Sequence, residues 1–240
     1  MAKIRTMKQE SKGKINKKLF ADRKRTNILS NPEQRLITYL VPKIPNWLSS
    51  DGLTLIGLIG SLLITASFLL AKYVHVSFLL FGIVSFFIQW FGDSLDGRIA
   101  FYRNKSRKWY GFALDIVVDW ISTVFIGLGY VFYTEGIFEL SGFVLVALYG
   151  WAMIVSQLRY KITGEYHIDS GPVGPTEIRV IISTMLLMEV LFPGVLDYLV
   201  FALCLVLLVN NLLDTLKLLK QGDERDHKEK AAKQKNVNTY

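Results

Sequence analysis

The 240-residue sequence contains one cysteine and three histidines, and it has no internal repeat and no low-complexity tract. One cysteine excludes an internal disulfide framework, and Cys204 lies in a long apolar run, where we expect an inert packing role. Apolar residues make up 51% and aromatic residues 13% of the chain, too much for an intrinsically disordered protein. No second soluble domain is apparent. No cleavable signal peptide is expected, because the first long apolar run begins only at residue 52.

Acidic side chains are scarce near the start of the chain, and the formal net charge is +8 at pH 7. The net charge is +9 over residues 1–50, −3 over residues 51–210 and +2 over residues 211–240. A strongly basic protein invites a nucleic-acid interpretation. Here the basic residues belong to the two ends and the body is slightly acidic, so we expect no nucleic-acid partner.

Long stretches with few or no charges make up most of the body. About 20 apolar residues cross a bilayer as a helix, because a helix satisfies every backbone polar group within its own segment. A large buried core explains one such stretch but hardly six. The sequence therefore predicts an all-α integral membrane protein with six transmembrane helices, at residues 52–71, 75–92, 110–133, 140–158, 175–192 and 195–216.

Lysine and arginine lie almost entirely on one side of these predicted spans. With both termini on the same side, 27 of the 28 basic residues lie on that side and only Lys72 lies on the other. Basic residues near transmembrane helices are retained in the cytoplasm. We therefore predict a multi-pass protein with cytoplasmic N- and C-termini.

Three regions follow from these patterns: a basic cytoplasmic segment at 1–50, a six-helix transmembrane domain at 51–217, and a polar basic cytoplasmic tail at 218–240. Residues 30–41 have a capping residue, an early proline and an apolar stripe, which predict a short amphipathic helix. It either lies in the membrane surface or packs on its own bundle. The basic N-terminal stretch and the tail from residue 222 are expected to be loosely ordered and to contact anionic lipid headgroups.

Four aspartates lie at the cytoplasmic ends of the second and third predicted spans. Asp93 and Asp96 are three residues apart and share a helix face, and Asp115 and Asp119 are four apart and share another. A short connection predicts that the two helices are antiparallel neighbours, with all four carboxylates at one depth. Oxygen ligands without histidine or cysteine nearby favour Mg²⁺ or Mn²⁺, and two such ions would balance the four negative charges.

A structural interpretation of these acids is also open, in which they pair with Arg98, Arg103 or Lys108 as a solvated rim. Asp115 and Asp119 weigh against it, because they lie within an apolar helix. An ionised group there costs at least roughly 2.5–3.5 kcal/mol on insertion scales. The metal interpretation is therefore the stronger one.

The segment from residue 93 to 119 resembles the signature of the CDP-alcohol phosphotransferases, D-x2-D-G-x2-A-R-x8-G-x3-D-x3-D. Seven positions match in type and order: Asp93, Asp96, Gly97, Ala100, Gly111, Asp115 and Asp119. Phe101 stands where the family usually has arginine, and the stretch to Gly111 is one residue longer. Arg103 and Arg98 are the candidates for the missing guanidinium. Residues 45–57 are similar to the family's P-x-x-T-x-x-G motif at the first span, and six spans match its core fold.

The resemblance implies metal-dependent transfer of a phospho group from a CDP-linked donor to an alcohol, with release of CMP. It implies that Asp93, Asp96 and Asp115 bind metal and that Asp119 both binds metal and acts as the base. Nucleotide binding is expected from Asp96, Gly97, Ala100 and Gly111 together with Arg103 or Arg98. The glycines also leave room for a bulky anionic ligand beside the acids. Residues 51–217 would be the catalytic domain, and a homodimer is expected from the resemblance alone.

Cations at the cytoplasmic ends of the fourth and fifth predicted spans are candidates for the acceptor site. Arg159, Lys161 and Arg179 look like the cations that hold an acceptor phosphate in phosphatidylinositol-phosphate-type synthases, the relatives this chain most resembles. Pro175 begins a helix whose N-terminus favours anions. Ordinary anchoring by basic residues on the cytoplasmic side is an equally open interpretation.

The resemblance favours a phospholipid-biosynthesis enzyme with a CDP-diacylglycerol donor and a small polar acceptor, of the inositol phosphate or glycerol phosphate type. The alternative is a CDP-ethanolamine or CDP-choline phosphotransferase that acts on diacylglycerol, although such relatives are usually longer. An ion- or proton-coupled transporter is the alternative from another class. Transporters place their site near the midplane between repeats, whereas these acids cluster near one surface and no repeat is present.

Overall fold

The structure, a computed structural model, describes residues 27–164 and 174–237, with side chains described through residue 234. Within these ranges the chain forms seven α-helices and no strand, which confirms the all-α class. The helices are α1 (Ser30–Leu40), α2 (Ser50–Tyr73), α3 (Leu79–Tyr102), α4 (Lys108–Tyr133), α5 (Glu139–Thr163), α6 (Pro175–Leu191) and α7 (Leu196–Val237). The basic stretch before residue 27 and most of the connection between α5 and α6 lie outside the described residues.

Five of the six predicted spans are confirmed as helices long and apolar enough to cross a membrane. Their bounds are Ser50–Tyr73, Val76–Tyr102, Lys108–Tyr133, Gly136–Thr163 and Leu196–Gln234. The remaining helix, α6, has 17 residues and is about 26 Å long, whereas a bilayer requires roughly 20 residues. Its apolar part is short because Glu177 and Arg179 occupy its first two turns and Glu189 lies near its end. Length and composition therefore support five spans in the described chain and leave the sixth unconfirmed.

Helix α2 begins where Ser49 Oγ accepts a hydrogen bond from the Gly52 N–H at 3.0 Å, an N-cap. It packs on α3 more extensively than any other two helices pack together. Glycines make this approach possible, since a Cβ at Gly92 would overlap the backbone of Gly57 and a Cβ at Gly60 would overlap the backbone of Gln89. Small residues at such crossings let helix backbones meet closely. The crossing fixes the position of α3 just before its first aspartate.

The predicted neighbours α3 and α4 bring carboxylate oxygens of Asp93, Asp115 and Asp119 within 4.8 Å of one another, but they make no extended interface. Both helices pack on α2, while α4 also packs on α5 and α3 also packs on α6. The glycine-rich face of α2 takes α3. The carboxylates that α3 and α4 present to each other would repel in direct contact. The two helices therefore face each other across a cavity.

The amphipathic helix α1 packs on its own bundle. Ile37 and Val41 are fully buried, in a cluster with Leu53 and Ile99 from α2 and α3. Glu33 on the same face accepts a hydrogen bond from the indole N–H of Trp90 at 3.4 Å. The packing interpretation of residues 30–41 is therefore confirmed.

Two acids at the far end of the bundle from the four aspartates, the buried Glu189 and the half-buried Asp197, serve the fold. Glu189 accepts hydrogen bonds from the Tyr133 hydroxyl at 2.7 Å and from the Leu196 N–H at 2.7 Å. Asp197 accepts from the Tyr130 hydroxyl at 2.8 Å and from the Thr134 hydroxyl at 2.6 Å. These bonds join α6, α7 and the end of α4.

Helix α7 continues well beyond the predicted end of the sixth span, as far as Val237. The expectation of a loosely ordered tail is wrong up to that residue. Glutamate, lysine, alanine and glutamine favour helix, and Arg225 pairs with Glu229 one turn later at 2.8 Å. Arg225 also donates to the carbonyls of Lys161 and Ile162 at 2.8 Å each, which satisfies the free carbonyls at the end of α5.

Candidate active site

Three of the four predicted aspartates form a close cluster. Asp93 on α3 and Asp115 and Asp119 on α4 each place one carboxylate oxygen within 4.8 Å of the others. Asp96, one turn further along α3, lines the same cavity. We call this space of about 230 Å³ the carboxylate cavity; Thr54, Gly57, Gln89, Val118 and Ser122 also line it. The predicted convergence of the four acids is therefore found in the structure.

Asp96 is held by α2 and by its own helix. The Thr54 hydroxyl donates to Asp96 Oδ2 at 2.6 Å, and the Gly97 N–H donates to Oδ1. The Ser50 hydroxyl donates to the Asp96 backbone carbonyl at 2.9 Å. Both Thr54 and Ser50 come from the first turns of α2, so the start of this helix fixes the position of Asp96.

Asp93 is held by Arg179, the one cation among the described residues that lines either cavity. Arg179 Nη2 donates to Asp93 Oδ2 at 2.5 Å, and the two side chains are 14% and 21% exposed. Arg179 lies in the second turn of α6. Helix α6 therefore contributes to the site although its sequence is distant from the aspartates.

The donor set of the carboxylate cavity fits a hard divalent cation. Mg²⁺ and Mn²⁺ take oxygen ligands, chiefly carboxylates, and the cavity offers four carboxylates from two helices. No histidine or cysteine lines it among the residues that the structure describes. Asp93, Asp96, Asp115 and Asp119 are therefore the residues that can hold such ions.

A second cavity, of about 660 Å³, begins at Asp119 and extends into the bundle. Its polar side chains gather at the carboxylate end: Gln89, Asp119, Ser122, Thr123, Tyr149 and Arg179. The remainder is mostly apolar, with Phe86, Ile126, Leu145, Val146, Ile178, Ile182, Leu203 and Leu207. We call this space the apolar cavity, and Asp119, Gln89, Ser122 belong to both spaces.

Comparison with known proteins decides the family. The family model of the CDP-alcohol phosphatidyltransferases matches residues 43–210. The chain belongs to this family. A search of curated proteins finds no match. The match covers α2 to the middle of α7 and includes all four aspartates, so the resemblance of the signature is confirmed. The transporter alternative is set aside, because the CDP-alcohol phosphatidyltransferases transfer a phosphatidyl group from a CDP-alcohol to an acceptor.

The residues of this CDP-alcohol phosphatidyltransferase that were predicted to bind nucleotide lie around the carboxylates. A Cβ at Gly97 or Gly111 would meet no atom within 4 Å, so the space beside both glycines is open. Ala100 lies on α3 one turn after Asp96, and Arg98 is buried on the same helix. These placements agree with the expectation that a ligand approaches here, while the nucleotide contacts themselves stay a prediction.

Arg103 has a different environment from the one expected of a nucleotide ligand. Its guanidinium donates to the carbonyls of Leu48 at 2.6 Å, Pro45 at 2.9 Å and Ile44 at 3.0 Å. It therefore fastens the end of α3 to the connection between α1 and α2. Arg103 is one of the two candidates for the missing family arginine, and its guanidinium has a structural role in these hydrogen bonds.

The three predicted acceptor cations are not brought together. Arg179 lines the apolar cavity, whereas Arg159 forms an ion pair with Asp214 of α7 at 3.6 Å and Lys161 is exposed. Neither Arg159 nor Lys161 lines the two cavities. The geometry therefore leaves Arg179 as the cation nearest the carboxylates.

Glu177, two residues before Arg179, serves the fold. Its carboxylate accepts from Asn27 Nδ2 at 2.9 and 3.0 Å, from the Leu29 N–H at 2.6 Å and from the Gly174 N–H at 3.0 Å. In the E-x-R sequence, Glu177 therefore joins the start of α6 to the residues just before α1, and Arg179 contacts Asp93.

Sequence reasoning missed five polar residues that line the two cavities, namely Thr54, Gln89, Ser122, Thr123 and Tyr149. Thr54 belongs to the P-x-x-T-x-x-G motif, which was noted as a family feature and not as a site. Gln89 is four residues before Asp93 and Ser122 is three after Asp119, so helical spacing alone puts them on the same faces as the acids. Tyr149 carries no comparable signal, because its helix holds no predicted site residue nearby.

Proposed function

We propose that the chain transfers the phosphatidyl group of CDP-diacylglycerol to a small polar alcohol at the carboxylate cavity, with release of CMP. The observation that carries this proposal is the convergence of carboxylates from α3 and α4 on one space, in a chain of the CDP-alcohol phosphatidyltransferase family. The catalytic unit is the predicted domain 51–217, and the homodimer stays a prediction from the family.

The four aspartates are the proposed metal ligands. Two Mg²⁺ or Mn²⁺ ions held by Asp93, Asp96, Asp115 and Asp119 would neutralise charge on the donor's pyrophosphate and on the departing CMP. Thr54 orients Asp96 and Arg179 orients Asp93 through the hydrogen bonds described above. Such outer partners fix the geometry of ligands.

Asp119 is the proposed general base. It belongs to both cavities and so lies between the carboxylates and the space open to a second substrate. In the reaction the acceptor oxygen forms a bond to the phosphorus of the phosphatidyl group, and the bond from that phosphorus to CMP breaks. The hydroxyl proton passes to Asp119, and CMP leaves with the bonding electron pair. A carboxylate positioned beside the hydroxyl performs such a transfer.

The two ends of the donor meet different surroundings. The open spaces beside Gly97 and Gly111, with Ala100 and Arg98, suit the cytidine nucleotide. The apolar lining of the second cavity suits an acyl chain of the phosphatidyl group, because burying hydrocarbon against such side chains is favourable. The charge distribution supports a site on the cytoplasmic side of the membrane.

The same apolar cavity also suits the alternative pair of substrates, in which the lipid is the acceptor and not the donor. If diacylglycerol were the acceptor, its chains would occupy that space and the donor would be CDP-ethanolamine or CDP-choline. Among the described residues that line the two cavities, the one cation is Arg179, and its pairing with Asp93 engages it away from an acceptor phosphate.

A donor and acceptor panel tests the proposal. Purified full-length protein in detergent micelles would receive CDP-diacylglycerol, CDP-ethanolamine or CDP-choline with Mg²⁺ or Mn²⁺, and CMP release would be measured. Acceptors would be serine, glycerol 3-phosphate, inositol and inositol phosphate for the first donor, and diacylglycerol for the others. We expect metal-dependent CMP release with CDP-diacylglycerol and one polar alcohol. CMP release only with diacylglycerol as acceptor would support the alternative pair of substrates. No CMP release from any donor would overturn both proposed reactions.

A further inference from the structure

Gln89 is a buried polar residue of the site for which the proposed reaction has no role. It is 5% exposed, lies one helical turn before Asp93 on α3, and lines both the carboxylate cavity and the apolar cavity. Its Oε1 is buried and has no hydrogen-bond partner in the part of the chain that the structure describes. Buried polar atoms without a partner are rare in folded proteins and call for an explanation.

Packing holds this side chain at the boundary of the two cavities. A Cβ at Gly60 of α2 would overlap the backbone and the Cβ of Gln89, so the backbone of α2 lies directly against Gln89 at the helix crossing. No cation or hydroxyl of the described residues forms a hydrogen bond with Gln89 Oε1, and three of the donors nearby have other partners. Arg179 donates to Asp93, the Thr54 hydroxyl donates to Asp96, and the Thr123 hydroxyl donates to the Asp119 carbonyl at 2.8 Å. A donor for Gln89 must therefore come through a cavity.

The chemistry of the proposed reaction narrows that donor. An amide oxygen only accepts hydrogen bonds, and the phosphate oxygens of a CDP-linked donor carry no proton at neutral pH. The reacting hydroxyl has a single proton, which passes to Asp119. The ribose hydroxyls and the cytosine amino group of the donor can also donate, but the nucleotide is assigned to the open space beside Gly97 and Gly111. Beside Asp119, a second hydroxyl or an ammonium group on the acceptor is the substrate group that can donate.

We propose that Gln89 recognises the acceptor alcohol by accepting a hydrogen bond from a second hydroxyl or ammonium group next to the reacting hydroxyl. The acceptor is then a polyol or an amino alcohol. This inference rests on the proposed function and deepens it, because diacylglycerol has a single hydroxyl and lacks the second donor. Gln89 is thus a specificity residue and takes no part in bond making.

Paired acceptors test this role. The pairs are serine and 3-hydroxypropionate, glycerol 3-phosphate and 3-hydroxypropyl phosphate, and inositol and cyclohexanol, in which the second member lacks the second donor. The pair whose first member gives CMP release would be measured with wild type, Gln89→Leu and Gln221→Leu. Gln221 is the matched control, because its Oε1 is also buried without a partner but it lies on α7 and lines neither cavity.

We expect wild type and Gln221→Leu to prefer the complete acceptor by about 10-fold or more in kcat/KM, and Gln89→Leu to bring the two acceptors within about 2-fold of each other. The KM for CDP-diacylglycerol should stay unchanged. The melting temperature of Gln89→Leu should not fall, since the change removes an unsatisfied buried polar group. A merely structural role would lower it.

Three other results would overturn the inference. Retention of the wild-type preference by Gln89→Leu would overturn it and leave the proposed function intact. Turnover with diacylglycerol as the sole acceptor would also overturn it, because diacylglycerol has no second hydroxyl or ammonium group to donate to Gln89. The lack of CMP release by wild type with every donor would overturn the proposed function, and the inference with it.

Discussion

Arg179 and Asp93 form an ion pair of 2.5 Å between the second turn of α6 and the middle of α3. The two residues are 86 positions apart in sequence, and both side chains are largely withdrawn from the surroundings. The pair connects α6 to the carboxylate site. It also sets the orientation of a carboxylate that has two other acids close to it.

Replacing Arg179 by glutamine should destabilise the protein by up to about 3 kcal/mol, because it leaves a buried carboxylate without its counter-charge. The measurement is denaturant unfolding of the purified protein in a fixed detergent. The double variant Asp93→Asn/Arg179→Gln should recover part of this loss, since the unpaired charge is gone, yet it should stay inactive without the Asp93 ligand. Strictly additive effects of the two substitutions would contradict the coupling.

Asp119→Asn should reduce the CMP release rate by roughly 100- to 10,000-fold, because the amide cannot take the hydroxyl proton. The melting temperature should remain close to that of wild type. Asp223→Asn provides the control, since Asp223 lies on the extension of α7 with its side chain 75% exposed. Wild-type rates in Asp119→Asn would remove this residue from the role of base.

Thr54→Val should raise the Mg²⁺ or Mn²⁺ concentration for half-maximal activity by about 10-fold, as expected when a group that orients a metal ligand is lost. The valine keeps the volume but cannot donate to Asp96. Thr54→Ser retains the hydroxyl and should behave like wild type in the same metal titration. Equal metal requirements for the valine and serine variants would argue against a positioning role.

Much of this architecture follows from the sequence, because hydropathy and helical spacing are local properties. Five membrane-length helices appear where long apolar stretches predict them. The acids meet because spacings of three and four residues put each pair on one helix face. The short helix α6 stays unconfirmed as a span, because charged residues in its first two turns shorten its apolar part.

Packing partners were harder to predict, because they depend on shape. The short connection predicted that α3 and α4 are neighbours, but it did not predict that the glycines at 57, 60 and 92 make α2 the helix on which α3 packs. Arg179 was read as part of an acceptor site with Arg159. No local pattern reveals that it contacts Asp93 while Asp214 takes Arg159.

Gly92→Ala should cost about 2 kcal/mol or more, because inserting a methyl group into a filled space forces the backbone to move. The new Cβ would overlap the Gly57 nitrogen and the Leu53 carbonyl oxygen, both in the backbone of α2, so no flexible side chain can give way. The helices must separate beside Asp93, and CMP release should fall together with the melting temperature.

Gly97→Ala, five residues later on the same helix, is the matched variant that should affect substrate binding without lowering stability. Its Cβ would meet no atom within 4 Å, and alanine favours helix over glycine by roughly 1 kcal/mol, so the melting temperature should hold or rise. The KM for the CDP-linked donor should nevertheless increase, because the methyl group fills space assigned to the nucleotide. If Gly92→Ala melts at the same temperature as Gly97→Ala, the close crossing of α2 and α3 does not determine stability, and the position of Asp93 must be fixed by Arg179 instead.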